Sequence, residues 1–125
     1  MQGLHLTADL SGCSSQLPIM QEPLALLSVC RDAVAAAQLG AVAERFHAFE
    51  PAGSGITGVI LLAESHLAVH TWPELAAVTL DVYVCNVGSD NSDKAHQVLA
   101  HLLQAFAPAH VERHALHRGS PWPAK

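Results

Sequence analysis

Positive charge is scarce in this chain and nowhere concentrated. Six Lys and Arg face eleven Asp and Glu, a formal net charge of −5. The six cationic residues stand singly, so the basic patch that a nucleic-acid partner requires is absent. Long hydrophobic runs are missing too. The mean hydropathy is positive at +0.27, but no apolar stretch approaches the ~20 residues that a spanning helix needs. The longest candidate, Leu24 to Leu39, is interrupted by Arg31 and Asp32, so no membrane partner is expected. The opening MQGLHLTADL has no basic segment followed by an apolar block, which excludes a signal peptide of the usual kind and makes a cytoplasmic protein the expectation. Cysteine is limited to Cys13, Cys30 and Cys85. An odd number without an export signal points to reduced thiols, and their wide spacing excludes a C-x-x-C pair or zinc knuckle. Nine histidines invite a metal reading. However, His66-x-x-x-His70 lacks the interposed glutamate of a zincin and lies in a stretch that alternates like a strand. No metal site is expected.

Half of the 125 residues are hydrophobic, enough to bury one core, and residues 1–125 read as a single domain. Leu4, Leu6, Ala8 and Leu10 alternate with their neighbours as a half-buried strand does, and Ser11-Gly12 ends it. Pro23 suits the first turn of a helix. Leu26, Leu27, Cys30, Ala33, Val34 and Ala37 follow at helical spacing, with Gly40 placed as a C-cap. Residues 41–49 alternate again, and a Pro51–Gly55 loop leads to the near-continuous apolar run Ile56–Leu62, the pattern of a central strand. Further strands are expected over Ser65–Trp72, stopped by Pro73, and over Val78–Cys85. Asp90 is a candidate cap for a second helix, with Asp93 favourable in its first turn. Ala95, Val98, Leu99, Leu102, Leu103 and Phe106 form its buried stripe. A last strand covers about 110–117, and the tail HRGSPWPAK is expected to be loose. The order β-α-β-β-β-β-α-β with short connections predicts an α+β two-layer sandwich, an antiparallel sheet with two helices on one face. The second face then needs a cover, and another copy of the chain is the economical one.

Reactive side chains gather in ESHLAVHTWPE, residues 64–74, and in DVYVC, residues 81–85. Ser65 with a histidine and a glutamate could form a hydrolase triad, but the G-x-S-x-G elbow is absent. Cys85 with His70 could form a thiol enzyme. Alternatively, Ser65 and His66 are wet-face strand residues and Cys85 is a small buried hydrophobe. Residue chemistry alone leaves these readings open.

The register of these motifs resembles that of the bacterial and archaeal S-adenosylmethionine decarboxylase proenzymes. ESHLAVHTWPE is followed by a cysteine twenty residues after the serine. Gly3-Leu4-His5-Leu6 resembles the family's opening GxHL, Cys13 follows at a similar distance, Phe46-His47-Ala48-Phe49 resembles its FHxF strand, and Gly55-Ile56-Thr57-Gly58-Val59 resembles G-x-[ST]-G-V. The resemblance runs from residue 3 to about 118.

It implies self-cleavage between Glu64 and Ser65, giving a β chain of residues 1–64 and an α chain of residues 65–125, the latter led by a pyruvoyl group made from Ser65. His70 would be the base in processing, a role that suits imidazole, and Thr57 would assist. The pyruvoyl carbonyl would take the place of pyridoxal phosphate, receiving the substrate amine and drawing off the electrons left by CO2. Cys85 would reprotonate the product, for which a thiol with an ordinary pKa of about 8.5 is usable. Phe49 would stack on the adenine, with His70 a candidate for its other face, and Glu74 would hold the ribose, an aromatic and acidic setting that suits a sulfonium. The family's active sites lie at a homodimer interface, Ser65 and Cys85 of one protomer facing Phe49, Thr57, His70 and Glu74 of the other. His47 and Cys13 read as structural, and His66 as either a structural hydrogen-bonder or a participant.

Four departures border the pocket. Leu4 stands for a basic residue, and Leu75-Ala76-Ala77 for an aromatic-glycine-aromatic segment. Asn86 stands for a glycine, and the loop from Phe49 to Thr57 is about two residues longer. Three functions follow: decarboxylation of S-adenosylmethionine, which supplies the aminopropyl donor for spermidine; pyruvoyl-dependent decarboxylation of ornithine or arginine; or a non-catalytic subunit on the same fold. Phe49 and Glu74 have nothing to hold in ornithine, and Ser65, His70 and Cys85 together argue against the third.

Overall fold

Alternation decides where each strand turns its side chains, and one face collects nearly all the apolar ones. In the computed structural model, which describes residues 2–119, the elements run β1 (Gln2–Ser11), α1 (Pro18–Gln21), α2 (Pro23–Ala36), β2 (Ala41–Ala48), β3 (Ile56–Leu62), β4 (Ser65–Trp72), a 3₁₀ turn (Pro73–Leu75), β5 (Ala77–Cys85), α3 (Ser92–Phe106) and β6 (His110–Gly119). The strands form one sheet in the order β2-β3-β4-β5-β1-β6, every neighbouring pair antiparallel. This is the expected α+β two-layer architecture and element order, with the four-residue α1 added. The β4 and β3 bounds coincide with the expected ones, while β5 begins one residue earlier and β2 stops one earlier. β6 reaches Gly119, so His117, Arg118 and Gly119 are strand rather than loose tail; the rest of that expected tail, 120–125, lies outside the described residues.

Leu4, Leu6 and Leu10 of β1, Ile56 and Ile60 of β3, Leu67 and Val69 of β4, and Val78, Leu80 and Val82 of β5 are buried. They share a single core with Leu26, Cys30 and Val34 of α2 and Val98, Leu99, Leu102 and Phe106 of α3. A fully buried leucine contributes about 1.5–3 kcal/mol of transfer free energy. An exposed ion pair such as Arg31 with Glu44, which ties α2 to β2, contributes about 0–1 kcal/mol. The seam between sheet and helices therefore holds the fold.

Three local devices set its edges. α2 does not end on Gly40, as its position suggested. Leu39 N–H bonds Val34 O at 3.0 Å and Gln38 N–H bonds Ala35 O at 2.9 Å, with Gln38 at φ 61°. This is a Schellman closure in which Gln38 takes the left-handed position usually given to glycine. Gly58 is required for another reason: a Cβ there would run into the ring of Phe46 on the neighbouring strand. Thr71 is the single buried polar residue in the described core; its Oγ1 accepts from Ile56 N–H at 3.0 Å and donates to Met20 O at 2.9 Å. That pair of bonds anchors α1 to the sheet.

The helices all lie on this face. The opposite face carries His5, Thr7, Thr57, His66, His70, Asp81 and Tyr83, and no described element packs over it. β2 and β6 are the open edges.

Candidate active site

Ser65 is the first residue of β4 and follows a turn whose tip residues, Ala63 and Glu64, are exposed. Its last sheet partner is Leu62, and the β4–β5 ladder begins one residue on, at His66 opposite Tyr83. Beyond that final pair, Cys85 N–H turns to a side chain and donates to Ser65 Oγ at 3.1 Å. Cys85 is 8% exposed, and both residues line a cleft of about 370 Å³ together with Leu39, Leu62, Glu64 and Asn91. On its other side Cys85 borders a second cleft of about 450 Å³, shared with Glu64, Tyr83 and Val87.

The loop after Cys85 is held by a chain of amides. Asn91 Nδ2 donates to Cys85 O at 2.8 Å, Asn91 N–H donates to Asn86 Oδ1 at 2.8 Å, and Asn86 Nδ2 donates to Ser92 Oγ at 3.1 Å. Asn91 is the N-cap of α3 yet makes no side-chain cap bond. Asp90, expected as the cap, sits one residue earlier and accepts from Ser92 N–H at 2.9 Å. That bond and the Ser92 contact hold its carboxyl below the usual carboxylate range.

The remaining expected site residues lie at the other end of the strands. Thr57 and His70 are cross-strand partners, with Oγ1 3.1 Å from Nδ1. Trp72 stacks on His70 at 5.8 Å. Phe49, just past β2, has 38% exposure, so it is not core; its N–H bonds Gly55 O and its ring meets His47 edge-on at 5.5 Å. Glu74 is exposed in the 3₁₀ turn after β4. At about 3.3 Å per strand residue, His70 lies roughly 17 Å along β4 from Ser65. One chain thus brings Ser65 together with Cys85, and Thr57 with His70 near Phe49 and Glu74, but it does not bring the two groups together.

Between them lies a cluster whose members sit in the quoted motifs but whose mutual contacts those motifs did not announce. His5 Nε2 is 3.0 Å from Asp81 Oδ1, its ring meets those of His66 and Tyr83 edge-on, and His66 stacks on Tyr83 at 5.6 Å. Arg118 Nη1 lies 3.4 Å from His5 Nδ1. Gly3 makes room for it, since a Cβ there would fall 2.6 Å from the Tyr83 hydroxyl. Burial pushes the His66 imidazole below its ordinary range, with His5 adding to the push and Asp81 opposing it. The available signal was His5, Asp81 and Tyr83 sharing the wet-face parity of their strands. Of the other thiols, burial pushes Cys30 up to about 12 and raises Cys13, so neither is poised as a nucleophile. Among the described residues, no three His, Cys, Asp or Glu side chains gather as a metal-ligand set, and no helix is long and apolar enough to cross a membrane.

One departure has a local consequence. Ala76, at a position where the resemblance implies glycine, closes the 3₁₀ turn at φ 51°, a left-handed conformation that costs an L-residue about 1–2 kcal/mol.

Fold and site together define a two-layer α+β protein with a serine–cysteine pair at one end of an antiparallel sheet. A family model described as S-adenosylmethionine decarboxylase matches residues 4–119, and the chain belongs to that family. It is 37% identical over 117 residues to an S-adenosylmethionine decarboxylase proenzyme of Hydrogenobaculum sp., covering 94% of this chain and 81% of that one. To the proenzyme of Picrophilus torridus it is 36% identical, covering 94% and 85%. The crystal structure of the adenosylmethionine decarboxylase from Aquifex aeolicus superposes with a TM-score of 0.84 at 30% identity, over 98% of this chain and 95% of that one.

Proposed function

We propose that this chain is a self-processing, pyruvoyl-dependent decarboxylase of S-adenosylmethionine that cuts itself between Glu64 and Ser65. The observation that carries the reading is the Ser65–Cys85 pair: a serine opening a strand behind an exposed turn, its Oγ held by the Cys85 N–H at 3.1 Å. The residues fit the group they would generate. A chain end before Ser65 disturbs no pair but the terminal one, because Leu62↔Ser65 is the last pair of its ladder.

In processing, Ser65 Oγ attacks the Glu64 carbonyl carbon. The peptide C–N bond breaks, and the hydroxyl proton passes to the Ser65 nitrogen, leaving an ester. A base removes the Ser65 α-proton, the Cβ–Oγ bond breaks, and Oγ departs as an oxygen of the Glu64 carboxylate. The dehydroalanine that results takes a proton at Cβ, becoming an imine; water adds at Cα and ammonia leaves, giving the pyruvoyl group. His70 serves as that base through Nε2 when Nδ1–H donates to Thr57 Oγ1, the contact seen at 3.1 Å.

The roughly 17 Å between Ser65 and His70 on one strand supports a homodimer in which the uncovered faces pack together. Ser65 and Cys85 of each protomer would then meet Phe49, Thr57, His70 and Glu74 of the other. The pyruvoyl carbonyl, once formed, is an electrophile that takes up the electrons released with CO2. Cys85 supplies the proton to the carbon that lost CO2, Phe49 offers its exposed ring to adenine, and Glu74 offers acceptors to the ribose hydroxyls. The product is an aminopropyl donor for spermidine synthesis, a cytoplasmic role compatible with three free thiols.

Intact-mass measurement tests this directly. Two fragments are expected, that beginning at residue 65 being closed to sequencing from its N-terminus, and Ser65→Ala should stay whole. CO2 release should occur with S-adenosylmethionine and not with ornithine or arginine. A native chain that remains uncut sinks the proposal.

A further inference from the structure

We infer that Asn91 is a positioning residue for self-cleavage, holding the Cys85 peptide so that its N–H meets Ser65 Oγ; this rests on the reading just given. Cys85 is held through both of its backbone polar groups. Its N–H donates to Ser65 Oγ at 3.1 Å, and the carbonyl of the same residue accepts from Asn91 Nδ2 at 2.8 Å. Asn86 orients the grip by accepting Asn91 N–H at 2.8 Å while donating to Ser92 Oγ at 3.1 Å.

The N–H matters at a definable step. When the Cβ–Oγ bond of the ester breaks, the electron pair stays on Oγ, which becomes part of the Glu64 carboxylate, and the α-proton passes to the base. A fixed backbone donor aimed at the oxygen where charge develops lowers that barrier without reorganising. Cys85 lies past the last β4–β5 pair; its β1 edge is held by the pairing with Gly3 and by Asn86 N–H on Gln2 O at 2.8 Å, while on the β4 edge, where no ladder partner remains, Asn91 takes its carbonyl.

Helix capping makes the assignment stronger. Asn is a favoured N-cap residue, and its side chain ordinarily accepts from an N–H in the first turn. Asn91 stands at that position but makes no such bond; its amide is instead oriented with Nδ2 on the Cys85 carbonyl. Helix stability and site geometry therefore compete for one side chain. Asn86 stands where the resemblance implies a glycine, which could make no such side-chain bonds.

Asn91→Asp and Asn91→Ala separate the two roles. Aspartate cannot donate to the Cys85 carbonyl, yet it is an equally good cap; alanine loses the donor without adding charge. The full chain is made by cell-free synthesis, and cleavage is followed by intact mass while Tm is measured on chains carrying Ser65→Ala. Both variants should cut about tenfold more slowly, the effect of one lost hydrogen bond at a transition state, while Asn91→Asp keeps or raises Tm. Native-rate cleavage in both overturns the inference. So does slowing in Asn91→Asp alone, which marks a charge effect, or slowing only where Tm falls. A native chain that stays whole removes the underlying reading as well, and the native sample shows this separately.

Discussion

Thr57 Oγ1 lies 3.1 Å from His70 Nδ1 across the β3–β4 ladder, and Trp72 covers the same imidazole at 5.8 Å. The ring is therefore fixed at one nitrogen and on one face, an orientation that suits the proposed role of its other nitrogen as the processing base. Thr57→Val keeps the shape and removes the bond. Self-cleavage should slow by about tenfold, the worth of one hydrogen bond to a reacting group, while Thr57→Ser should cut at nearly the native rate. Time courses by intact mass decide it. Equal rates for valine and serine would show that the hydroxyl does not orient His70.

Cys85 presents two separable groups, a backbone N–H on Ser65 Oγ and a side chain lining the cleft. Cys85→Ala retains the first and removes the second. The variant should still cut into two chains, while CO2 release from S-adenosylmethionine falls by at least ~100-fold, the ordinary size of a lost general acid. Protonation at the wrong atom would leave an amine on residue 65, so the α chain should slowly become open to N-terminal sequencing during turnover. Undiminished CO2 release would remove Cys85 as the proton source.

Much of this arrangement was legible in the residues, for physical reasons that differ by element. β3 and β4 were readable because a continuous apolar run and a clean alternation are bounded by Gly55 and Pro73. The helix α1 was not, since four residues complete a single turn and show no period. The end of α2 misled because glycine is the commonest left-handed residue, yet Gln38 took that conformation two positions earlier. The motif ESHLAVHTWPE places Ser65 and His70 five residues apart, which in a helix would be a rise of only about 7.5 Å. In a strand the same spacing separates them by roughly 17 Å, the gap that the proposed shared interface would bridge. The contacts of Asn86 and Asn91 had no signature, because loop hydrogen bonds depend on backbone path rather than on periodicity.

The His66 cluster should make stability depend on pH, and the sign follows from the direction of the shift. In the unfolded chain an imidazole takes its proton near pH 6.5. In the folded chain burial disfavours the charged form of His66, with His5 adding and Asp81 opposing. The folded pKa is thus below the unfolded one. The contribution of His66 is fully present above about pH 6.5 and is lost as pH falls through the folded value, because the unfolded state gains a proton that the folded state resists. The facing groups are His5 on β1, Asp81 and Tyr83 on β5, and Arg118 on β6 beside His5. Melting temperature measured from pH 8 to 5 should therefore decline more steeply for the native chain than for His66→Gln, whatever constant offset the lost stacking on Tyr83 imposes. Parallel curves would mean that His66 titrates alike folded and unfolded, and that its burial against Tyr83 carries no electrostatic cost.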